Sequence, residues 1–93
     1  MLPVVWHPDA ELDLLEIIQF IGERNPLAAV NLADLLRNSV VHLSEHPYLF
    51  KSSARVHGCR EIVVHPNYLV FYKVLVDQVL VVKVAHSRQQ FPI

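Results

Sequence analysis

Residues 59–86, CREIVVHPNYLVFYKVLVDQVLVVKVAH, carry the strongest indication of the fold. They contain three runs rich in Val, Ile, Leu and aromatic residues, which is the composition of β-strands. Pro66-Asn67 separates the first run from the second, and residues 76–78 (VDQ) separate the second from the third. Because turns this short join antiparallel neighbours, the stretch predicts a three-stranded antiparallel meander.

Two amphipathic helices are predicted before the meander. Pro8 suits the first position of one helix, and Asn25 caps the other with Pro26 behind it. The second helix must end before Pro47. Apolar residues recur at helical spacing in both. They are Ala10, Leu14, Ile17, Ile18 and Ile21 in the first helix, and Ala29, Leu32, Leu36, Val40 and Leu43 in the second.

The order of elements predicts the fold class. A short strand at residues 2–6 precedes the helices, so the order is β-α-α-β-β-β. Helices joined by a short turn pack as an antiparallel hairpin. We therefore expect an α+β fold, in which the hairpin packs on a mostly antiparallel, twisted sheet. All of residues 1–93 should form one domain with a modest core, because the chain has only 93 residues.

The second and third meander strands are apolar on both faces, which is typical of a sheet covered on both sides. Two helices cover only one side. We therefore expect apolar surface, on the other sheet face or on the rims of the helices, that another chain covers. A homodimer, or a sheet curled enough to hide the surplus, remains as an alternative.

Composition excludes several classes of protein. Hydrophobic residues make up 53% of the chain, which argues against disorder, and no apolar run approaches the roughly 20 residues of a membrane span. The residues at the start do not form a signal peptide, so we expect a cytoplasmic protein with no membrane partner. The single cysteine, Cys59, is predicted to be a buried and inert thiol.

The charges are divided between the two halves of the chain. Residues 1–46 carry seven acids and two bases, whereas residues 47–93 carry six bases and two acids. This asymmetry favours contact between the second half and an anionic or acidic partner. Ordinary solvated faces would give the same pattern.

Few chemical motifs are present. The chain has only two glycines and no phosphate-binding loop, and His42 and His46 form a helical pair without a third ligand, so we expect no metal or other cofactor. One constellation remains. If the meander brings Arg60 near His86, an arginine that stabilises phosphate charge and a histidine that transfers protons would suffice for metal-free RNA cleavage. Alternatively, these residues simply decorate the ends of strands.

The sequence resembles the toxins of the RelE/ParE superfamily, from type II toxin–antitoxin modules, and within it the ParE-like plasmid-stabilisation toxins. The resemblance rests on W.PDAELDLLEIIQFI from Trp6, P.AAVNLADLL from Pro26, LSEHPYLF, RVHGCREIVVHPNYLVFYKV and the terminal VVKVAHSRQQFP. These segments cover nearly the whole chain in order. The resemblance implies the same helical hairpin on a mostly antiparallel sheet.

The resemblance implies one of two activities: ParE-type members inhibit DNA gyrase, and RelE-type members are ribosome-dependent mRNA endonucleases. The pI is about 6.6, and the loop before the first meander strand offers only Lys51 and Arg55. Because RNA binding depends on many cationic contacts, both observations favour the non-enzymatic gyrase inhibitor. The alternative is a metal-independent endoribonuclease that uses Arg60 and His86. One nucleolytic branch has an additional histidine where this chain has Val63. A third possibility is a toxin fold with another target or without toxicity.

The resemblance also implies two binding surfaces. The cognate antitoxin would bind through a disordered segment that folds on the toxin. The C-terminal segment HSRQQFP would contact the target, with Phe91 as an anchor, unless Phe91 and Pro92 fold back to cap the core. The residues expected to bind the target are Arg60, Lys73, His86, Arg88 and Phe91, and those expected to bind the antitoxin are Leu69, Phe71 and Lys83.

Overall fold

The structure, a computed structural model, describes residues 1–89, and its elements follow the predicted order. Within these residues, no helix combines the length and apolar character needed to cross a membrane. The elements are β1 (Val4–Trp6), α1 (Pro8–Gly22), α2 (Pro26–Asn38), a 3₁₀-helix (Val41–Ser44), β2 (Arg60–His65), β3 (Tyr68–Val74) and β4 (Val79–His86).

The four strands form one sheet in the order β1-β4-β3-β2. The β2–β3 and β3–β4 pairs are antiparallel, which confirms the predicted meander. The first strand was not assigned a partner from sequence. It pairs in parallel with β4, from Val4 opposite Val79 to Trp6 opposite Val81. The last strand therefore lies inside the sheet, and β1 and β2 form its edges.

The helices begin as predicted and the second ends early. Pro8 and Pro26 are the first residues of α1 and α2. α2 stops at Asn38, where the Ser39 hydroxyl donates a 2.6 Å hydrogen bond to the Leu36 carbonyl and two β-branched valines follow. The expectation that one helix carries both Val40 and Leu43 was therefore wrong, although both side chains are buried.

The core has two parts, one on each face of the sheet. On one face, buried residues of the helices meet those of the strands: Ala10, Leu14, Leu32, Leu36, Val40, Leu43, Ile62, Val70, Tyr72, Val79, Val81 and Val84. On the other face, Leu69, Phe71 and Ala85 pack with Cys59 and with Val56 from the loop before β2. This loop covers much of the face that the pattern left open.

Both helices carry exposed apolar residues. On α1 these are Leu12, Leu15 and Phe20, and on α2 they are Leu27, Val30 and Leu35, each at least 45% exposed. This confirms that the helix rims expose apolar surface. The covering chain stays a prediction.

One carboxylate links α1 to β4. Beyond Val81, β4 has no β1 residue beside it, because β1 ends at Trp6. The Val84 backbone N–H donates a 3.0 Å hydrogen bond to Asp13 Oδ2, so this side chain supplies an acceptor where the neighbouring strand ends. Lys83 Nζ lies 3.8 Å from the same oxygen.

Candidate functional site

Arg60 and His86 lie at opposite ends of the sheet. Arg60 pairs with Tyr72, whereas His86 pairs with Tyr68. The four-residue offset along β3 corresponds to about 13 Å. The expectation that the meander brings the two together was wrong. In an antiparallel meander β2 and β4 run in the same direction, so the end of β4, with His86, lies level with the end of β2. Arg60 is at the start of β2. Arg60 and His86 together do not form a single catalytic site.

His86 instead adjoins a second histidine. His65, the last residue of β2, pairs with Tyr68, which pairs with His86 on its other side. The ring centroids of His65 and Tyr68 are 5.9 Å apart, and those of Tyr68 and His86 are 5.3 Å apart. We call His65, Tyr68, His86 and Arg88 the histidine end. His65 was missed from sequence, although its position at a strand end beside a two-residue turn was a usable signal.

Hydrogen bonds fix the tautomer of both histidines. His65 Nδ1 accepts from the Asn67 backbone N–H at 3.0 Å, and His86 Nδ1 accepts from the Arg88 backbone N–H at 3.1 Å. An accepting Nδ1 in a neutral ring leaves the proton on Nε2. Each ring thus offers a hydrogen-bond donor, which suits an oxyanion better than a metal ion. Within residues 1–89 there is also no group of three or more His, Cys, Asp or Glu arranged to hold a metal.

The surroundings of His86 carry both charges. A cavity of about 190 Å³ beside it is lined by Asp13, Glu16, Lys83 and Gln89 among others. Lys83 pairs with Asp13, so its charge is largely offset. Two carboxylates in the cavity beside His86 make this end less suited to a polyanion than to a protein surface of mixed charge.

The other end of the sheet is more uniformly cationic. Arg60 Nη1 donates a 2.7 Å hydrogen bond to the Phe50 carbonyl, and its guanidinium lies 4.8 Å from the centre of the Tyr48 ring. Together with the exposed Lys73, it lines a cavity of about 390 Å³. Thus Arg60 and Lys73 lie together, as two of the predicted target-binding residues, but apart from His86 and Arg88.

The predicted antitoxin residues are divided by burial. Leu69 and Phe71 are 1% and 0% exposed, packed in this chain's own second core. A partner laid on the folded surface cannot reach them, because the loop before β2 occupies that face. Lys83 is partly exposed. Phe91 lies outside the described residues.

The cysteine in the second core is buried, as predicted. Cys59 is 4% exposed and forms no disulfide. Burial raises the pKa of this thiol, and the positive charge of Lys73 opposes the rise only in part. A buried thiol with a raised pKa is a poor nucleophile.

Comparison with known proteins gives consistent matches. Residues 4–91 match the family described as the ParE toxin of the type II toxin–antitoxin system parDE. The chain is similar to Toxin RelE2 of Caulobacter vibrioides, with 34% identity over 87 residues, covering 94% of this chain and 97% of that protein. The chain therefore belongs to the ParE toxin family, within the RelE/ParE superfamily of type II toxin–antitoxin toxins.

Solved structures share the fold at low sequence identity. A chain of the chromosomal ParDE system from P. aeruginosa superposes with a TM-score of 0.81 at 17% identity, covering 92% of this chain and 96% of that one. A chain of the E. coli DinJ-YafQ complex gives a TM-score of 0.60 at 11% identity, covering 92% and 93%. These likenesses confirm the predicted superfamily fold.

Proposed function

We propose that this toxin arrests growth in the cytoplasm by inhibiting DNA gyrase, and that a cognate antitoxin neutralises it by direct binding. The observation that carries the proposal is the match to the ParE toxin family over residues 4–91. The separation of Arg60 from His86 supports a non-enzymatic action, because it removes the nucleolytic pair expected from sequence.

The histidine end is the proposed contact with the target. His86 and Arg88 stand at the end of β4, and Phe91 follows them in the chain. The mixed charge around His86 supports a protein partner. Arg60 and Lys73, which line the cavity at the other end, would form a separate contact.

The helices offer a surface for the antitoxin. A groove of about 390 Å³ between α2 and the β2–β3 turn is lined by Ile21, Leu32, Leu35 and Tyr68 among others. Exposed Leu27 and Val30 extend α2's apolar surface. An amphipathic segment that folds on binding suits such a groove. Lys83 lines the cavity beside His86 and not this groove, so the antitoxin contact expected of it would be a separate one, made in competition with Asp13.

A supercoiling assay with purified gyrase tests the proposal. The toxin should inhibit supercoiling and accumulate cleaved DNA, and a His86→Ala/Arg88→Ala double variant should lose both effects. Arg24→Ala is the matched control, because Arg24 is an exposed arginine in the turn after α1, and the variant should behave as the unmodified toxin. Folded, growth-arresting protein that leaves gyrase unaffected would refute the proposal.

A second candidate is a metal-independent endoribonuclease built on the histidine end. The observation that favours it is the placement of two donor imidazoles, His65 and His86, on either side of Tyr68. Two Nε2–H donors and the nearby Arg88 would hold a scissile phosphate and stabilise the negative charge that develops on it during cleavage. Cleavage of ribosome-bound mRNA by the toxin, lost in both His65→Ala and His86→Ala, would favour this candidate over gyrase inhibition.

A further inference from the structure

The cavity at the start of β2 lies apart from the histidine end. The proposed function uses only two of its lining residues, Arg60 and Lys73. The cavity measures about 390 Å³, within the usual range for small-molecule sites. We call it the Arg60 cavity. Its lining includes Tyr48, Ser52, His57, Arg60, Tyr72 and Lys73.

Arg60 is held in place before any ligand arrives. The Phe50 carbonyl fixes Nη1 at 2.7 Å, and the Tyr48 ring lies 4.8 Å from the guanidinium carbon. A guanidinium has five N–H donors, and one hydrogen bond to the carbonyl leaves the others for an anion. Ordering this side chain therefore adds little entropic cost to binding.

The described lining of the Arg60 cavity is cationic. Lys73 joins Arg60 as a second cation, His57 adds an imidazole, and no described carboxylate is among the lining residues. Glu61, which follows Arg60, is 7% exposed and accepts a 2.7 Å hydrogen bond from the Ser53 hydroxyl. Ser53 itself lines the cavity, so this buried carboxylate lies behind the lining and is not part of it. The cavity combines fixed and flexible cations, as sites for phosphate groups do.

Tyr48 distinguishes this cavity from a site for phosphate alone. Tyr48 is 66% exposed, although the Arg60 guanidinium lies over its ring. Exposed aromatic rings beside cationic side chains are platforms on which nucleobases stack. Both features of a nucleotide therefore have a partner within one small cavity.

We propose that the Arg60 cavity binds a free nucleotide, with the phosphate at Arg60, Lys73 and His57 and the base on Tyr48. The cavity lies at the end of β3 away from Tyr68, so this site is separate from the histidine end. The inference does not rest on gyrase as the target, because binding is measured directly on the toxin.

The experiment is a titration of the full ¹⁵N-labelled chain followed by amide chemical shifts. The probes are AMP, inorganic phosphate, adenosine and a single-stranded tetranucleotide. AMP should shift the amides of Gly58, Arg60 and Lys73 saturably, and bind more tightly than phosphate, adenosine or the tetranucleotide.

Matched variants locate the ligand. Lys73→Gln should weaken AMP binding about tenfold, the loss expected for one charged contact. Tyr48→Leu should remove the preference for AMP over phosphate. Lys51→Gln is the control, because Lys51 is an exposed lysine of the same loop that does not line the cavity. Arg60 is left intact because it also holds the Phe50 carbonyl.

Several results would overturn the inference. These are the absence of a saturable AMP shift, equal weakening by Lys51→Gln and Lys73→Gln, or an unchanged preference for AMP in Tyr48→Leu. Tighter binding of the tetranucleotide would assign the cavity to a nucleic-acid strand instead of a free nucleotide. Displacement of AMP by a short acidic peptide at lower concentration would assign it to a protein segment.

Discussion

Replacing Asp13 with alanine tests the link between α1 and β4. The carboxylate accepts from the Val84 backbone N–H at 3.0 Å, in a partly buried position. Hydrogen bonds to charged groups contribute about 1.5–3 kcal/mol, and the partial exposure of Asp13 places this one near the lower bound. The 3.8 Å pair with Lys83, itself partly exposed, adds less than about 1 kcal/mol.

The expected loss in Asp13→Ala is therefore about 2 kcal/mol in the free energy of unfolding. For a domain of this size it lowers Tm by about 8–16 °C. Asp13→Asn keeps an acceptor oxygen and should lose about 1 kcal/mol or less. Urea unfolding followed by circular dichroism measures both, with unchanged m-values. Glu16→Ala is the control, an exposed carboxylate one turn further along α1. If Asp13→Ala and Glu16→Ala were equally stable, the link would have no energetic role.

Three further predictions concern stability and reactivity. Arg37 donates two 2.8 Å hydrogen bonds to Glu11 and so lowers the pKa of that carboxyl. The stabilisation by this pair is complete above the ordinary glutamate pKa and is lost as pH falls through the lowered pKa. Glu11→Gln should therefore reduce the difference in the free energy of unfolding between pH 7 and pH 3. Because the pair is half-exposed, the reduction should be less than about 1 kcal/mol. Because burial raises the pKa of Cys59, Ellman's reagent at pH 8 should react far more slowly with folded than with urea-unfolded protein, and equal rates would contradict the buried position. Gly58 has φ of 82° with open space around its Cβ position, so Gly58→Ala should cost about 1–2 kcal/mol through the backbone alone, and an unchanged thermal midpoint would count against this.

Most of the fold was predictable because its signals are local. Strand composition and two short turns specify the meander, and Pro8 and Pro26 specify where the helices begin. The partner of β1 was not predictable. Its three residues carry no register signal, and parallel pairing with β4 depends on how the helical hairpin returns the chain across the sheet.

The candidate site was less predictable because it depends on register and on a loop. Arg60 and His86 have suitable chemistry, but the direction of each strand places them at opposite ends, and the same register brings His65 beside Tyr68. Leu69 and Phe71 belong to an apolar pattern that is the same whether a partner or the chain itself covers it. Here a polar-looking loop supplies the cover, through Val56 and Cys59.

The interior position of β4 has a consequence for synthesis of the toxin. β1 can pair only once residues 79–81 have been made, because its partner is β4. The first and last strands are thus joined by contacts between residues about 75 positions apart in the sequence. Contacts of such sequence separation form late in folding. While β4 is still inside the ribosome, the nascent chain has neither a complete sheet nor His86 beside Tyr68. The histidine end can therefore assemble only after residues 79–86 have left the ribosome.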